Sequence, residues 1–373
     1  MGMIFLLSPV LGAFTDKAPR RIPFLTVSTL ICVGFTALLG QGGLGPSLVF
    51  FAIANAAYQA GLQFYDALLA DVSTEENRGW IGGIGVGIGY MGSFIGIGTG
   101  LLMLQVLHTS KVALFQVTAL LFLLFAWPAF VWVRERGNPR AEPFTWASVR
   151  QALDQVVETL RQSYRYPGLF RFLIGRVFYT DAVNTVISIM GLYVTNLAIR
   201  SGLGPDEGER VAQVILLVAV ACAVVGGFVW GRIADRLGPK KTLDIVLFLW
   251  IAVFLAASLT GLLGLPLWFF YFITIGAGLA MGGTWAADRP YMLRLSPPAR
   301  IGEFYGLYGM VGRFSAVTGP FLWGLVVGIL FEGRPEIGQP VGILTLLLMV
   351  VVGYWILRPV SDHKREWTGD DLT

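Results

Sequence analysis

Apolar positions in this chain come in long uninterrupted runs, divided by short polar clusters, rather than in the three-to-four spacing of a soluble amphipathic helix. A helix needs about 18 or more such residues to cross a hydrocarbon core roughly 30 Å thick. The pattern predicts eleven spans, at 1–14, 23–42, 47–70, 79–106, 111–133, 170–198, 210–231, 242–263, 266–288, 302–331 and 340–357. The first is shorter than a full crossing. The longest polar interval, Arg134 to Tyr166, separates five spans from six. Inside it Val149, Leu153, Val156, Val157, Leu160 and Tyr164 recur at helical spacing, with Arg150, Asp154, Glu158, Arg161 and Arg165 between them. That spacing predicts an amphipathic linker helix lying on the membrane surface. The expected organisation is an N-terminal half over 1–133, a linker over 134–169, a C-terminal half over 170–358 and a tail over 359–373.

Composition agrees with the pattern. Hydrophobic residues make up 55% and charged residues 13% of the chain, against about 25% charged in a soluble domain. The expected class is an all-α, multi-pass protein whose main partner is the lipid bilayer. Both cysteines, Cys32 and Cys222, lie inside apolar runs, so no disulfide framework is implied. The first run has the length of a signal peptide, but no Lys or Arg precedes it and no small-residue cleavage site follows it.

Basic loops stay on the cytoplasmic side of a membrane. Placing the loop Gly12–Arg21 there leaves 21 of the 27 Lys and Arg residues inside, with Lys111, Arg200, Arg210 and Arg334 outside. Only Arg176 and Arg313 then fall within spans rather than at their ends. The linker and the C-terminus come out cytoplasmic as well. The sequence pI of about 9.1 therefore reports topology, and nucleic acid is not expected as a partner.

The loop at Gly12, GAFTDKAPRR, is echoed at Gly231 by GRIADRLGPKK, with an Asp four residues after the Gly and two basic residues after a short turn. Gly61, Asp66 and Arg78 likewise find Gly283, Asp288 and Arg300, each 222 residues later. Such spacing reads as two homologous halves. These loops resemble the signature loop of the major facilitator superfamily. SPVLGAFTD, RFLIGRVFYTDAVNTVIS (Arg171–Ser188) and PPARIGEFYGLYGMVGRFSAVTGP (Pro297–Pro320) resemble the branch of fungal autophagy-related vacuolar amino-acid effluxers and their bacterial relatives. The resemblance implies a bundle of two pseudo-symmetric halves around a central cavity, with twelve helices. About 65 residues run from Phe170 to Asp235 but only 15 precede Asp16, so by the repeat about 50 residues are missing and eleven helices are expected. The Tyr-Asp and Asn-Ser pattern that the branch carries on its first helix has no match.

What the resemblance implies about activity is secondary transport of a small solute, amino acids or similar metabolites, by alternating access with a coupling ion, a proton. It also implies a monomer in a bacterial cytoplasmic membrane. The alternative is a non-transporting membrane sensor or scaffold of the same fold. An enzyme is not expected: the histidines, His108 and His363, fall in a loop and the tail, and no GxxxxGK[ST] phosphate loop occurs. No metal or cofactor is implied.

The chemistry expected of individual residues can be argued directly. Asp16 and Asp235 each end a span, where a carboxylate can cap a neighbouring helix or pair with Arg20, Arg21, Arg236 or Lys240 and so form a latch between states. Gly12 and Gly231 belong to the same gating motif. The Gly-rich stretch Ile81–Gly100 contains a formal GxGxxG but lacks the strand a dinucleotide site needs. Gly85 with Gly89, and Gly92 with Gly96 and Gly100, suit close helix packing instead. Polar groups within spans are costly and mark pathways. Asn55, Gln59, Gln63 and Asp66 form one stripe, Asp181, Asn184, Thr185 and Ser188 a second, and Thr284, Trp285 and Asp288 a third. In the superfamily the corresponding helices line the cavity. Asp181 is the candidate substrate-amine partner or proton acceptor. Arg313 is expected to face Asp181, Asp288 or a substrate carboxylate.

Overall fold

The computed structural model describes residues 2–135, 146–161, 165–314 and 317–362, and the regular elements among them are all helices. The N-terminal set is α1 (Gly2–Lys17), α2 (Ile22–Ala37), α3 (Leu44–Ala67), the one-turn α4 (Leu69–Val72), α5 (Arg78–Leu101) and α6 (Lys111–Trp132). After α7 (Trp146–Arg161) come α8 (Pro167–Arg200), α9 (Pro205–Leu237), α10 (Pro239–Leu263) and α11 (Phe269–Leu295). The C-terminal set closes with α12 (Ile301–Phe314), α13 (Thr318–Leu325) and α14 (Pro335–Leu357). Eight of the described spans are long and apolar enough to cross a membrane. α1 and α2 have 16 residues each, and α3 has 24 but is diluted by its polar row.

Local chemistry sets the element ends. α2, α8, α9, α10 and α14 all carry Pro at the first or second position, where the missing N–H costs nothing and the fixed φ suits a helix. α10 stops at Gly264, which takes the left-handed φ of 61° that closes a helix C-terminus. α5 and α13 each pass into a single π turn, Leu102–Val106 and Val326–Leu330, so the repeat extends to an irregularity of the backbone.

Helices alternate in direction, which brings the loops near residues 18–21, 73–77, 238 and 296–300 to one end, the basic end. The main apolar core is built from the C-terminal set, with Phe172, Tyr179, Trp250, Phe254 and Phe270 almost wholly enclosed. The N-terminal set buries smaller clusters, such as Leu25 with Phe64 and Leu68. Leu120, Leu124 and Trp132 on α6 are exposed, as suits a helix that is apolar all round and meets lipid.

α7 sets Val156 against Val10 and Ala13 of α1 and leaves Val157 exposed. Its polar flank is used as well: Gln155 donates to Glu303 at 2.6 Å, and Arg300 donates to Thr159 at 3.3 Å. Glu303 is fully enclosed, and a buried carboxylate needs such a donor. Expectations placed on residues 136–145, 162–164 and 363–373, and on the side chains of Val149, Leu153 and Leu160, lie outside the described residues.

The glycine register needs correction. In α5 the glycines that meet the α9 backbone are Gly79 and Gly83, against Gly231 and Gly227, and Gly87, against Gly227 and the Phe228 ring. A Cβ at Gly89, Gly92, Gly96 or Gly100 would meet nothing within 4 Å, because α5 touches α9 only toward the basic end. Gly83→Val should therefore lower the melting temperature by several degrees, since overpacking costs about 1–3 kcal/mol. Gly92→Val should melt as wild type in the same detergent, and equal losses from both would refute the crossing.

Candidate functional site

Three layers of polar contacts join the two helix sets, beginning at the basic end. Asp16 stands on the last turn of α1, and its carboxylate accepts the backbone N–H groups of Gly302 at 2.7 Å and Glu303 at 2.8 Å. These amides open α12 and have no acceptor within their own helix. A carboxylate there also meets the positive end of the helix dipole. Asp235 near the end of α9 does the same for Gly79 at 2.6 Å and Trp80 at 2.8 Å, which open α5. Each cap crosses from one set to the other, in opposite senses, so the repeat seen in the sequence becomes a pair of reciprocal clasps.

The motif glycines explain how the carboxylates come so close. A Cβ on Gly231 would stand 2.7 Å from the Gly79 carbonyl oxygen, and one on Gly302 would stand 2.6 Å from Asp16 Oδ1. Gly12 faces the Gly302 backbone at the same crossing. Of the motif's basic residues, Arg21 donates to Asp16 at 2.8 Å and reaches Asp71 at 3.2 Å. Lys240 pairs instead with Asp244, one turn along its own helix, at 2.6 Å, while Arg20 and Arg236 are exposed. Arg232, which the motif did not single out, lies over the Trp80 ring with its guanidinium carbon 4.1 Å from the centroid.

The second layer is ionic. Asp66 at the end of α3 pairs with Arg289 of α11 at 3.3 Å, again across the two sets. The neighbouring Asp288 turns the other way. Its carboxylate receives the Arg176 guanidinium at 2.8 Å and the hydroxyls of Tyr179 at 2.5 Å and Tyr308 at 2.8 Å. Arg176 also donates to the Tyr308 carbonyl at 3.0 Å, and its guanidinium carbon stands 3.5 Å from that ring's centroid. All of these groups are buried and belong to the C-terminal set, so Asp288 is saturated there. Sequence reading did not single out Arg289, Tyr179 or Tyr308; the 222-residue echo of Asp66 in Asp288 was the available pointer to two charge sites.

The third layer lies deeper. Arg313 of α12 reaches across to α3 and α1, donating through Nε to the Gln59 side chain at 3.2 Å, through Nη2 to the Gln59 carbonyl at 2.8 Å, and to the Ser8 hydroxyl. Neither Asp181 nor Asp288 meets it, which corrects the expected pairing: Asp288 is taken by Arg176, and Asp181 serves a different helix. Asp181 is buried and accepts the Gly319 N–H at 2.7 Å, so it caps the start of α13, with the Thr185 hydroxyl packed against the same glycine. Asn184 is half-buried on the same helix. Gln63 donates to the Ser8 carbonyl, and Trp285 lies beside Tyr90 of α5. The candidates thus gather at the interface between the sets, with Asp181 and Asp288 held inside the C-terminal set. This arrangement can hold the basic end shut and present a cation, an amide and a hydroxyl further in.

Comparison with known proteins agrees with this architecture. Residues 69–367 match the family described as "Vacuole effluxer Atg22 like". The uncharacterized MFS-type transporter YxiO of Bacillus subtilis is 27% identical, over 97% of this chain and 82% of that one. Autophagy-related protein 22-1 of Aspergillus niger is also 27% identical, over 76% of this chain but only 47% of its own length. Among solved structures, the Escherichia coli fucose:proton symporter FucP superposes with a TM-score of 0.69 at 13% identity, covering 95% of this chain and 87% of its own. The human organic anion transporter MFSD10 gives 0.66 at 16% identity, covering 95% and 80%. At these identities the likeness is one of fold, that of the major facilitator transporters.

Proposed function

We propose, for a chain that belongs to the vacuole effluxer Atg22-like family, that it carries out secondary active transport of a small solute by alternating access. The observation that carries this reading is the pair of reciprocal clasps, Asp16 on the first turn of α12 and Asp235 on the first turn of α5. Two equivalent hydrogen-bonded crossings at one end of a two-set bundle can break and re-form together as a discrete switch, whereas a static scaffold has no use for reciprocity. The basic end faces the cytoplasm of a bacterial cell and is the closed end in this state. Amino acids or similar small metabolites are the substrate class of this reading; the family description, a vacuole effluxer, supports export of a solute and names none.

Coupling falls to Asp66. Among the described ion pairs within the membrane, Asp66 with Arg289 is the one that joins the two sets, so opening the basic end must separate its charges. Parting a poorly solvated ion pair is costly, and protonating Asp66 removes that cost. The groups that act on Asp66 are Arg289, Arg176, Asp288 and Arg313. The test is flux of radiolabelled amino acids in proteoliposomes, with and without an imposed pH gradient. Wild type should show gradient-driven accumulation; Asp66→Asn should lose at least tenfold of it while retaining solute-for-solute exchange. Gradient-driven uptake at the wild-type rate in Asp66→Asn removes Asp66 from the coupling step, and absence of any flux from wild type contradicts the transporter reading.

A further inference from the structure

We propose that Arg313 is the anchor for a carboxylate carried by the transported solute, in a site completed by Gln59 from the opposite helix set. The inference rests on the transporter reading above and names the chemical class of its substrate.

Arg176 is neutralised by Asp288 and Arg289 by Asp66, while Asp181 is committed to the start of α13. Among the described residues no carboxylate pairs with Arg313, although the field of Asp66 reaches it. Its partners are all neutral: the side-chain and backbone oxygens of Gln59 and the Ser8 hydroxyl. Residue 313 follows twelve others on α12, so it stands about 18 Å from the basic end, near the middle of a 30 Å core. A cation held there by neutral dipoles alone is an expensive arrangement, and such residues mark substrate pathways.

Geometry narrows the ligand. A guanidinium offers five N–H donors in a planar fork suited to a carboxylate, and three of them are used here. Arg313 is only half-buried, so the remaining donors are not sealed off by protein. Gly309, one turn earlier, leaves the near side clear, since a Cβ there would stand 3.9 Å from Nη2. Gln59 places an amide beside the fork, so its N–H2 group can donate to a second carboxylate oxygen. A single cation matches one negative charge; a phosphate dianion would call for a second, and Arg289 is already paired. Because Arg313 lies on α12 and Gln59 on α3, a bound carboxylate would touch both sets and change how tightly they are tied.

The experiment uses the full chain in lipid nanodiscs and a panel of free amino acids and short-chain carboxylic acids, each paired with its uncharged amide. Binding is read by thermal shift and by calorimetry, and flux by counterflow in proteoliposomes. At least one free acid should bind at least tenfold more tightly than its amide. That preference should vanish in Arg313→Gln and persist in Arg313→Lys, which keeps the charge. The melting temperature of each ligand-free variant separates misfolding from lost recognition, and Arg313→Lys supplies a folded comparison. Amides that bind as well as acids, or an Arg313→Gln protein that keeps the preference, overturn the proposal and leave the transporter reading standing if flux persists. A wild-type protein that neither binds nor moves any member of the panel overturns both.

Discussion

Asp288→Asn should be among the most destabilising conservative substitutions in the chain, with a loss of about 3–5 kcal/mol, because it leaves a buried guanidinium without its counter-charge. Asp288 is wholly enclosed and Arg176 is 3% exposed, so water cannot replace the lost charge. The same change weakens two hydrogen bonds from Tyr179 and Tyr308, which now donate to a carboxylate and would donate to a neutral oxygen. Melting of the purified protein in mild detergent checks the expectation. Joint replacement, Arg176→Leu with Asp288→Leu, should recover part of the loss, since removing both charges costs less than orphaning one. If Asp288→Asn melts as wild type, the carboxylate is not holding Arg176 and is open to a solute after all.

The second large effect belongs to the clasps. Neutralising both Asp16 and Asp235 by substitution with Ala removes four charge-assisted hydrogen bonds from helix N-termini, each worth about 1.5–3 kcal/mol in a protected site. The loss acts only on the state in which the basic end is shut, so it should shift the conformational balance rather than unfold the protein. Each single substitution should leave the other clasp in place and shift the balance less. A shift of about 3 kcal/mol changes the ratio of states by more than a hundredfold, enough to invert a modest preference. Transport by the double variant should fall sharply while its amount in the membrane stays near wild type.

Much of this was legible from residue order. The 222-residue echo pointed to two related sets, and an Asp closing a span beside basic residues suggested a cap before any partner was visible. The identity of the capped helices was not legible, because it depends on which spans cross between the sets. The Gly-rich α5 shows why spacing alone falls short: Gly79, Gly83 and Gly87 and the pair Gly85 and Gly89 all recur every fourth residue, and only the first row meets α9. Arg289 reads as an ordinary loop-end charge in sequence, yet it is the cation that holds Asp66. Tyr179 and Tyr308 look like core aromatics, and their hydroxyls matter only because the fold brings them onto Asp288. The linker helix has the amphipathic pattern of a surface helix, and that pattern alone does not show that Val156 is enclosed with Val10 and Ala13 of α1.

The central claim is that the basic end opens and closes as a unit. It is tested most directly by placing spin labels at Thr74 and Arg236, both exposed on opposite sides of the Asp235 clasp, and measuring their separation by pulsed electron resonance with Cys32 and Cys222 replaced by Ser. Wild type in nanodiscs should give one short distance at rest and add a longer one during turnover under a pH gradient. The double variant of Asp16 and Asp235 should show the longer distance without any gradient. A single unchanged distance in all three conditions would contradict the account.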